Sequence, residues 1–225
     1  MAEPRDRLSP SFSFGPIRRQ KPAERRPDSA PPSRPESQAP AEPAAAAPAG
    51  SFRQWVGAPR ATLAIAFTDM VSSSALGNKL GNRAMDALRR RHFAHADELV
   101  RAHDGFVVKT IGDSVMAAFR AATDALDFAM AVHADTGERR VRIRVGIHVG
   151  PITVEERDAF GATVNYTARV VAVPGGDEIW LSSEAKSHID QERAPQHGGL
   201  QWLAHKGLEL KGFPGKHILW SLVLG

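Results

Sequence analysis

The chain of 225 residues contains no cysteine. That excludes a disulfide scaffold, a thiolate-ligated zinc site and a thiol nucleophile, and it fits a reducing compartment. No segment reaches the ~18 uninterrupted apolar residues that a membrane span needs, so no membrane partner is expected. The Arg18-Arg19 pair is not followed by the apolar stretch of a secretion signal, and the expected compartment is the cytoplasm. Neither a Gly-x-Ser-x-Gly nucleophile turn nor a Gly-x-x-x-x-Gly-Lys phosphate loop occurs. Proline is scarce beyond residue 50, because eleven of the 16 prolines lie before it. The net charge of +4 is spread evenly, with eight Lys/Arg against six Asp/Glu in the first 50 residues and 21 against 19 in the rest. Basic residues therefore form no cluster of the kind a nucleic-acid surface requires, and no nucleic-acid partner is expected.

Three segments follow from these patterns. Residues 1–50 are rich in Pro and Ala and poor in large apolar side chains, so they cannot bury enough surface to offset chain entropy. They read as a disordered, solvated tail; the alternative reading makes its two Phe and the Arg18-Arg19-Gln20-Lys21 cluster a docking point for an unidentified regulator. Residues 51–60 read as a linker, and 61–225 as one folded domain. Within it, Thr62–Thr68 alternates as a buried strand and Asn82–Ala102 repeats apolar residues at helical spacing. Two β-rich runs, 106–110 and 115–119, flank a turn at Gly112-Asp113 and predict a hairpin. A helix over 122–134 and a strand over Val141–Val149 follow, then a loop and a helix over Thr163–Val171. The remainder predicts a strand at 178–182, a short helix at 184–190 and final strands near 201–204 and 217–223, with the loop Lys211–Lys216 between those last two. The expected fold is α+β, a ferredoxin-like (split βαβ) arrangement with C-terminal additions.

Two carboxylates stand out by position. Asp69 directly follows the first strand and Asp113 sits at the hairpin tip. Carboxylates at neighbouring strand ends can hold a pair of hard cations that clamp a phosphoryl transfer; equally, Asp is common in turns. Asn165 and Arg169 stand four residues apart on one helix face. They can orient a sugar and offset phosphate charge, or simply form a solvated face.

Taken in order, four blocks resemble the catalytic domain of class III nucleotide cyclases: Phe67-Thr68-Asp69-Met70-Val71, Val108 to Phe119, Val145-Gly146-Ile147-His148-Val149-Gly150, and Asp158 to Val170. The resemblance covers about residues 60 to 223. It implies two Mg²⁺ or Mn²⁺ ions per site at Asp69 and Asp113, with Met70 carried in the same metal block. It also implies that Lys109 and Asp158 read the adenine edge, that Asn165 holds the ribose, and that Arg169 stabilises charge on the α-phosphoryl group. A triphosphate-contacting lysine falls on Lys211 or Lys216, with Lys211 taken for the site. The implied activity is adenylate cyclase: ATP goes to 3′,5′-cyclic AMP and pyrophosphate by attack of the ribose 3′-oxygen on the α-phosphorus. The implied assembly is a head-to-tail homodimer with two shared sites.

The chain departs from the family's pattern where Ser72-Ser73-Ser74 replaces the common glycine after the first metal block. Gly175-Gly176-Asp177-Glu178 imitates the diguanylate cyclase signature but lies beyond the Asn165/Arg169 helix, where a turn before a strand is expected. A second reading is a cyclase-like module that binds nucleotide or a partner without turnover.

Overall fold

A computed structural model describes residues 50–193 and 200–224. Apart from Gly50, the tail expected over residues 1–50, and any regulator docked on it, lies outside the described residues. In chain order the elements are α1 (Phe52–Val56), β1 (Arg60–Met70), α2 (Ser73–Leu80), α3 (Asn82–Ala102), β2 (Phe106–Ile111), β3 (Ser114–Phe119), α4 (Ala122–Ala134), β4 (Ile143–Val154), β5 (Ala159–Phe160), α5 (Ala162–Val170), β6 (Ile179–Ser182), α6 (Ser183–Glu192), β7 (Trp202–Leu210) and β8 (Phe213–Leu222). The strands form one sheet in the order β2-β3-β1-β4-β6-β8-β7, and β5 pairs with β4. Read from β4, the first four strands run 4-1-3-2, the order of a ferredoxin-like split βαβ unit. The expected α+β fold is present, and β6, β7 and β8 are its C-terminal additions.

Alternation along β1 sorts its side chains between two cores. Ala64, Ala66 and Met70 pack under α3, α4 and α6, which contribute Leu88, Val100, Leu126, Phe128 and Ile189. Leu63, Ile65 and Phe67 point to the other face, which only α1 and α5 cover. Coverage there is partial. Ile111 stays 51% exposed and Phe160 44%, so this face is where strand ends can present polar groups to a ligand.

Three elements lie outside the sequence expectation: α1, α2 and the two-residue β5, which falls in the stretch expected as a loop. The stretch 51–60, read as a linker, contains α1, started by a Ser51/Gln54 capping box. Its Phe52 is fully buried beside Trp55 and Phe106, and the Arg120 guanidinium lies 4.2 Å from the Trp55 ring centre. Helix α2 buries no residue, and its first amides receive no side-chain cap. The fourth strand read from sequence also runs further than expected. β4 continues through Gly150 and Pro151 to Val154 because β1 pairs with it along its whole length, from Met70↔Ile143 to Arg60↔Thr153.

Three histidines lie in this framework at low exposure. His92 is fully buried on α3, with Nδ1 2.9 Å from the Thr136 carbonyl, and its Nε2 has no partner among the described residues. His95, one turn on, also buries its Nε2, near Asp135. His148 on β4 shares a 2.8 Å hydrogen bond with Ser182. Burial lowers the pKa of both His92 and His148 from the ordinary 6.5. Below 6.5 the unfolded chain therefore binds protons that the folded chain resists, and stability falls as pH falls. Thermal melts between pH 8 and pH 5.5 should lose up to about 1.4 kcal/mol per pH unit for each histidine. His92→Leu should remove one such contribution and flatten the profile; an unchanged slope would refute the assignment.

Candidate active site

The first half of the site forms where β1 ends beside the β2–β3 hairpin. Asp69 lies on the face of Leu63, Ile65 and Phe67, and it stands directly opposite Arg144 of β4. Arg144 donates to Asp69 Oδ2 from Nε at 2.9 Å and Nη2 at 2.6 Å, and from Nη1 to the Pro174 carbonyl at 2.9 Å. The Ser114 hydroxyl donates to Asp69 Oδ1 at 2.9 Å, which ties the hairpin to β1. Gly112 takes φ 61° at the first position of the two-residue turn, so Asp113 is held at its tip. Asp113 accepts an ion pair from Arg89 of α3. After β1 the chain turns through Ser72 in the left-handed region, at φ 57°, before entering α2. A glycine would hold that conformation without the Cβ cost of about 1 kcal/mol.

Lys109 reaches the open face because β2 carries a β-bulge. Phe106 pairs with Ala118, and Val107 with Ala117; the register then slips so that Lys109 faces Met116. Simple alternation from Phe106 and Val108 would send Lys109 to the helix-covered face. The extra residue turns it instead to the side of Asp69 and Ser114. There Lys109 Nζ lies 2.7 Å from Asp158 Oδ2 and 5.5 Å from the centre of the Phe160 ring. The segment carrying Asp158 is braced by α1: Arg53 donates from its backbone to the Glu156 carbonyl and from its guanidinium to the Val154 carbonyl, each at 3.3 Å.

The second half is α5. It lies close on β4 because β4 has no side chain at two places. A Cβ on Gly146 would stand 2.4 Å from the Val171 nitrogen, and one on Gly150 would stand 2.6 Å from Thr163 Oγ1. Val164 and Ala168 face the sheet, while Asn165 and Arg169 share the exposed side. Neither of these two side chains is held by a hydrogen bond or ion pair among the described residues. Val170, next to Arg169, packs with Leu210, next to Lys211, so the β7–β8 turn that bears Lys211 sits against α5. Lys216 instead lies within β8 and pairs with Glu209. Tyr166, between Asn165 and Arg169, contacts Phe213 edge-on and shares a 3.1 Å hydrogen bond with His217, and burial pushes its hydroxyl up to about 12.

The strand-end carboxylates fit a hard divalent cation in donor chemistry: Asp69 and Asp113 offer only oxygen and meet through Ser114. The Met70 thioether is turned into the core, leaving its main-chain carbonyl as the only donor it can offer. Among the described residues no group of three or more His, Cys, Asp or Glu gathers as a cage.

Residues 57–223 match the sequence model of the adenylate and guanylate cyclase catalytic domain. The chain belongs to this family. A Streptomyces coelicolor protein named adenylate cyclase is 30% identical over 133 residues, covering 58% of this chain and 35% of that protein. A Mycobacterium tuberculosis relative is 30% identical over 168 residues, covering 72% of this chain and 41% of its own length. The chain thus spans well under half of these relatives. The adenylyl cyclase CyaB from P. aeruginosa superposes with a TM-score of 0.65 at 21% identity, over 74% of this chain and 95% of that one. The guanylate cyclase domain of RhGC from Catenaria anguillulae, in complex with GTP, does so with a TM-score of 0.63 at 19% identity, over 74% and 98%. No helix among the described residues of this cyclase domain is long and apolar enough to cross a membrane.

Within the cyclase domain, sequence reasoning missed Arg144, Arg89 and Arg53. Arg144 was legible only as a polar position on a strand, and the other two lack any motif. The imitation signature at Gly175–Glu178 is a turn leading into β6: Asp177 takes φ 50° and its carbonyl bonds His133, while Glu178 accepts from the Trp180 indole. The seat of α5 gives a direct test. Gly146→Ala should destabilise by about 2 kcal/mol, since its Cβ meets backbone rather than a yielding side chain. Gly175→Ala, with open space around it, should change stability by under about 0.5 kcal/mol. Equal denaturation midpoints for the two variants would refute the close-seat argument.

Proposed function

We propose that this chain is an adenylate cyclase, converting ATP to 3′,5′-cyclic AMP and pyrophosphate at sites shared across a homodimer in the cytoplasm. The observation that carries the reading is the contact of 2.7 Å between Lys109 Nζ and Asp158 Oδ2 on the open sheet face. An ammonium donor beside a carboxylate acceptor matches adenine, which offers a ring-nitrogen acceptor and an exocyclic amine donor. Guanine presents the opposite pattern at the corresponding atoms, so ATP is favoured.

With the base fixed, Asn165 holds the ribose and Arg169 faces the α-phosphoryl group, where its guanidinium offsets charge as it grows. The ribose 3′-oxygen attacks the α-phosphorus in line. The bond from that phosphorus to the bridging oxygen breaks, the hydroxyl proton passes to water and pyrophosphate leaves. Lys211 and the uncapped first amides of α2 suit the departing phosphates. Asp69, Asp113 and the Met70 carbonyl would hold two Mg²⁺ or Mn²⁺ ions, which supply charge neutralisation at the attacking and leaving oxygens. Asn165 and Arg169 are exposed and unpartnered among the described residues, and no contact joins them to Asp69 or Asp113 of the same chain. That supports a site completed by a second copy, with the carboxylates from one chain and α5 from the other.

A guanidinium on each carboxylate favours the second reading, a module that binds nucleotide without turnover. Assay of the chain with Mn²⁺ or Mg²⁺ and either ATP or GTP separates the two. Cyclic AMP formation exceeding cyclic GMP by about tenfold or more is expected. No product from a folded dimer leaves only the module, and equal turnover of both nucleotides removes the role given to Lys109 and Asp158. Asp69→Ala and Arg169→Ala should each be inactive, and random mixing should restore about a quarter of wild-type activity, one site in half of the dimers. No recovery on mixing counts against the shared site.

A further inference from the structure

The two carboxylates hold their guanidinium partners in different ways. Arg144 is fixed on both sides, by Asp69 and by the Pro174 carbonyl, from the middle of a sheet. Arg89 is a single helical side chain stretched from α3 to the hairpin tip. It pairs with Asp113 and is steadied by Asp86, one turn back, at 3.1 Å. Beside it opens a cavity of about 460 Å³ lined by Ser73, Ser74, Asn78 and Asn82, with Arg89 and Asp113 on its wall. Apart from the carboxylates of Asp113 and Asp86, both paired with Arg89, this lining carries hydroxyls, amides and the uncapped start of α2, which suit phosphate oxygens rather than a base. Arg89 therefore has open space beside it, whereas Arg144 is held on its second side by the Pro174 carbonyl.

We propose that Arg89 is an exchange residue: it neutralises Asp113 until a divalent cation binds, then turns into the adjoining cavity and pairs with the polyphosphate. The proposal rests on the reading of Asp113 as a metal ligand and assigns Arg89 to the triphosphate side of that same site. A guanidinium and a divalent cation cannot both take the Asp113 carboxylate at full strength, so Arg89 weakens metal binding before nucleotide arrives. A guanidinium also forms forked bonds with phosphate as readily as with carboxylate, which makes the exchange chemically balanced. Metal and triphosphate then favour one another, since each removes a competitor of the other.

The test uses the full chain with Mn²⁺ alone, followed by the free-ion signal in electron paramagnetic resonance, and inorganic pyrophosphate at saturating Mn²⁺, followed by calorimetry. Arg89→Gln should bind Mn²⁺ about fivefold more tightly and pyrophosphate about fivefold more weakly. Arg89→Lys, which keeps the charge but not the fork, should fall between Arg89→Gln and wild type in both. If Arg89→Gln leaves either affinity at the wild-type value, the exchange is overturned. Asp113→Asn separates the two layers of the argument. Loss of Mn²⁺ affinity in that variant upholds Asp113 as a ligand whatever Arg89 does, whereas unchanged affinity locates the failure in the site assignment itself.

Discussion

One close approach governs the geometry of the molecule: helix α5 rests on strand β4 at a distance that only a missing side chain permits. Gly146 and Gly150 leave the strand bare at two points on one face, and the backbone of Val171 and the hydroxyl of Thr163 fill those points. The strand is itself fixed by its long pairing with β1, which carries Asp69. A helix seated on backbone has little freedom to tilt or slide, because interiors are packed as densely as organic crystals. Asn165 and Arg169 thus inherit their positions from the sheet, and so do the carboxylates at the strand ends. At Gly146 main chain meets main chain, and at Gly150 the strand backbone meets the Thr163 hydroxyl.

The second organising fact is that the sheet has a finished face and an unfinished one. Three helices close the first with large apolar side chains. On the second, α1 and α5 leave Ile111 and Phe160 exposed beside Lys109, Asp158 and Asp69. Charged groups half-exposed at such a place keep part of their solvation, so each ion pair can be broken by a ligand without leaving a buried charge behind. The pairs Lys109–Asp158, Arg144–Asp69 and Arg89–Asp113 are all of this part-exposed kind.

Much of this was legible in the chain. Helices α3 and α4 follow from apolar spacing with the bounds expected, and the ferredoxin-like order follows from alternating strands around one hairpin. Four misreadings have distinct physical sources. Gly150-Pro151 reads as a break after Val149, yet pairing with β1 carries β4 past it. Helix α1 has only five residues, too few for a period, although its Ser51/Gln54 capping box was a visible signal. Helix α2 buries nothing, so no apolar stripe marks it. The C-terminal hairpin reads as two short strands because His205, Lys206 and Gly207 interrupt the alternation where β7 and β8 change register. Of the site, the polar residues were readable from motif, whereas their arginine partners were not, since pairing across 24 or 75 residues leaves no local trace.

The bulge in β2 separates two anchor points of the hairpin. Lys109 takes its face from the turn, because Ile111 pairs with Ser114 and Lys109 with Met116, whereas Phe106 takes its face from Ala118. The extra residue between them absorbs the odd count that would otherwise put one of the two on the wrong side. Replacing Val107 or Val108 by another apolar residue alters packing and leaves both pairings intact. Removing either one restores plain alternation and still leaves Lys109 opposite Met116, on the open face. In evolutionary terms this short segment can drift in sequence, and even lose a residue, without moving the ammonium group to the other side of the sheet.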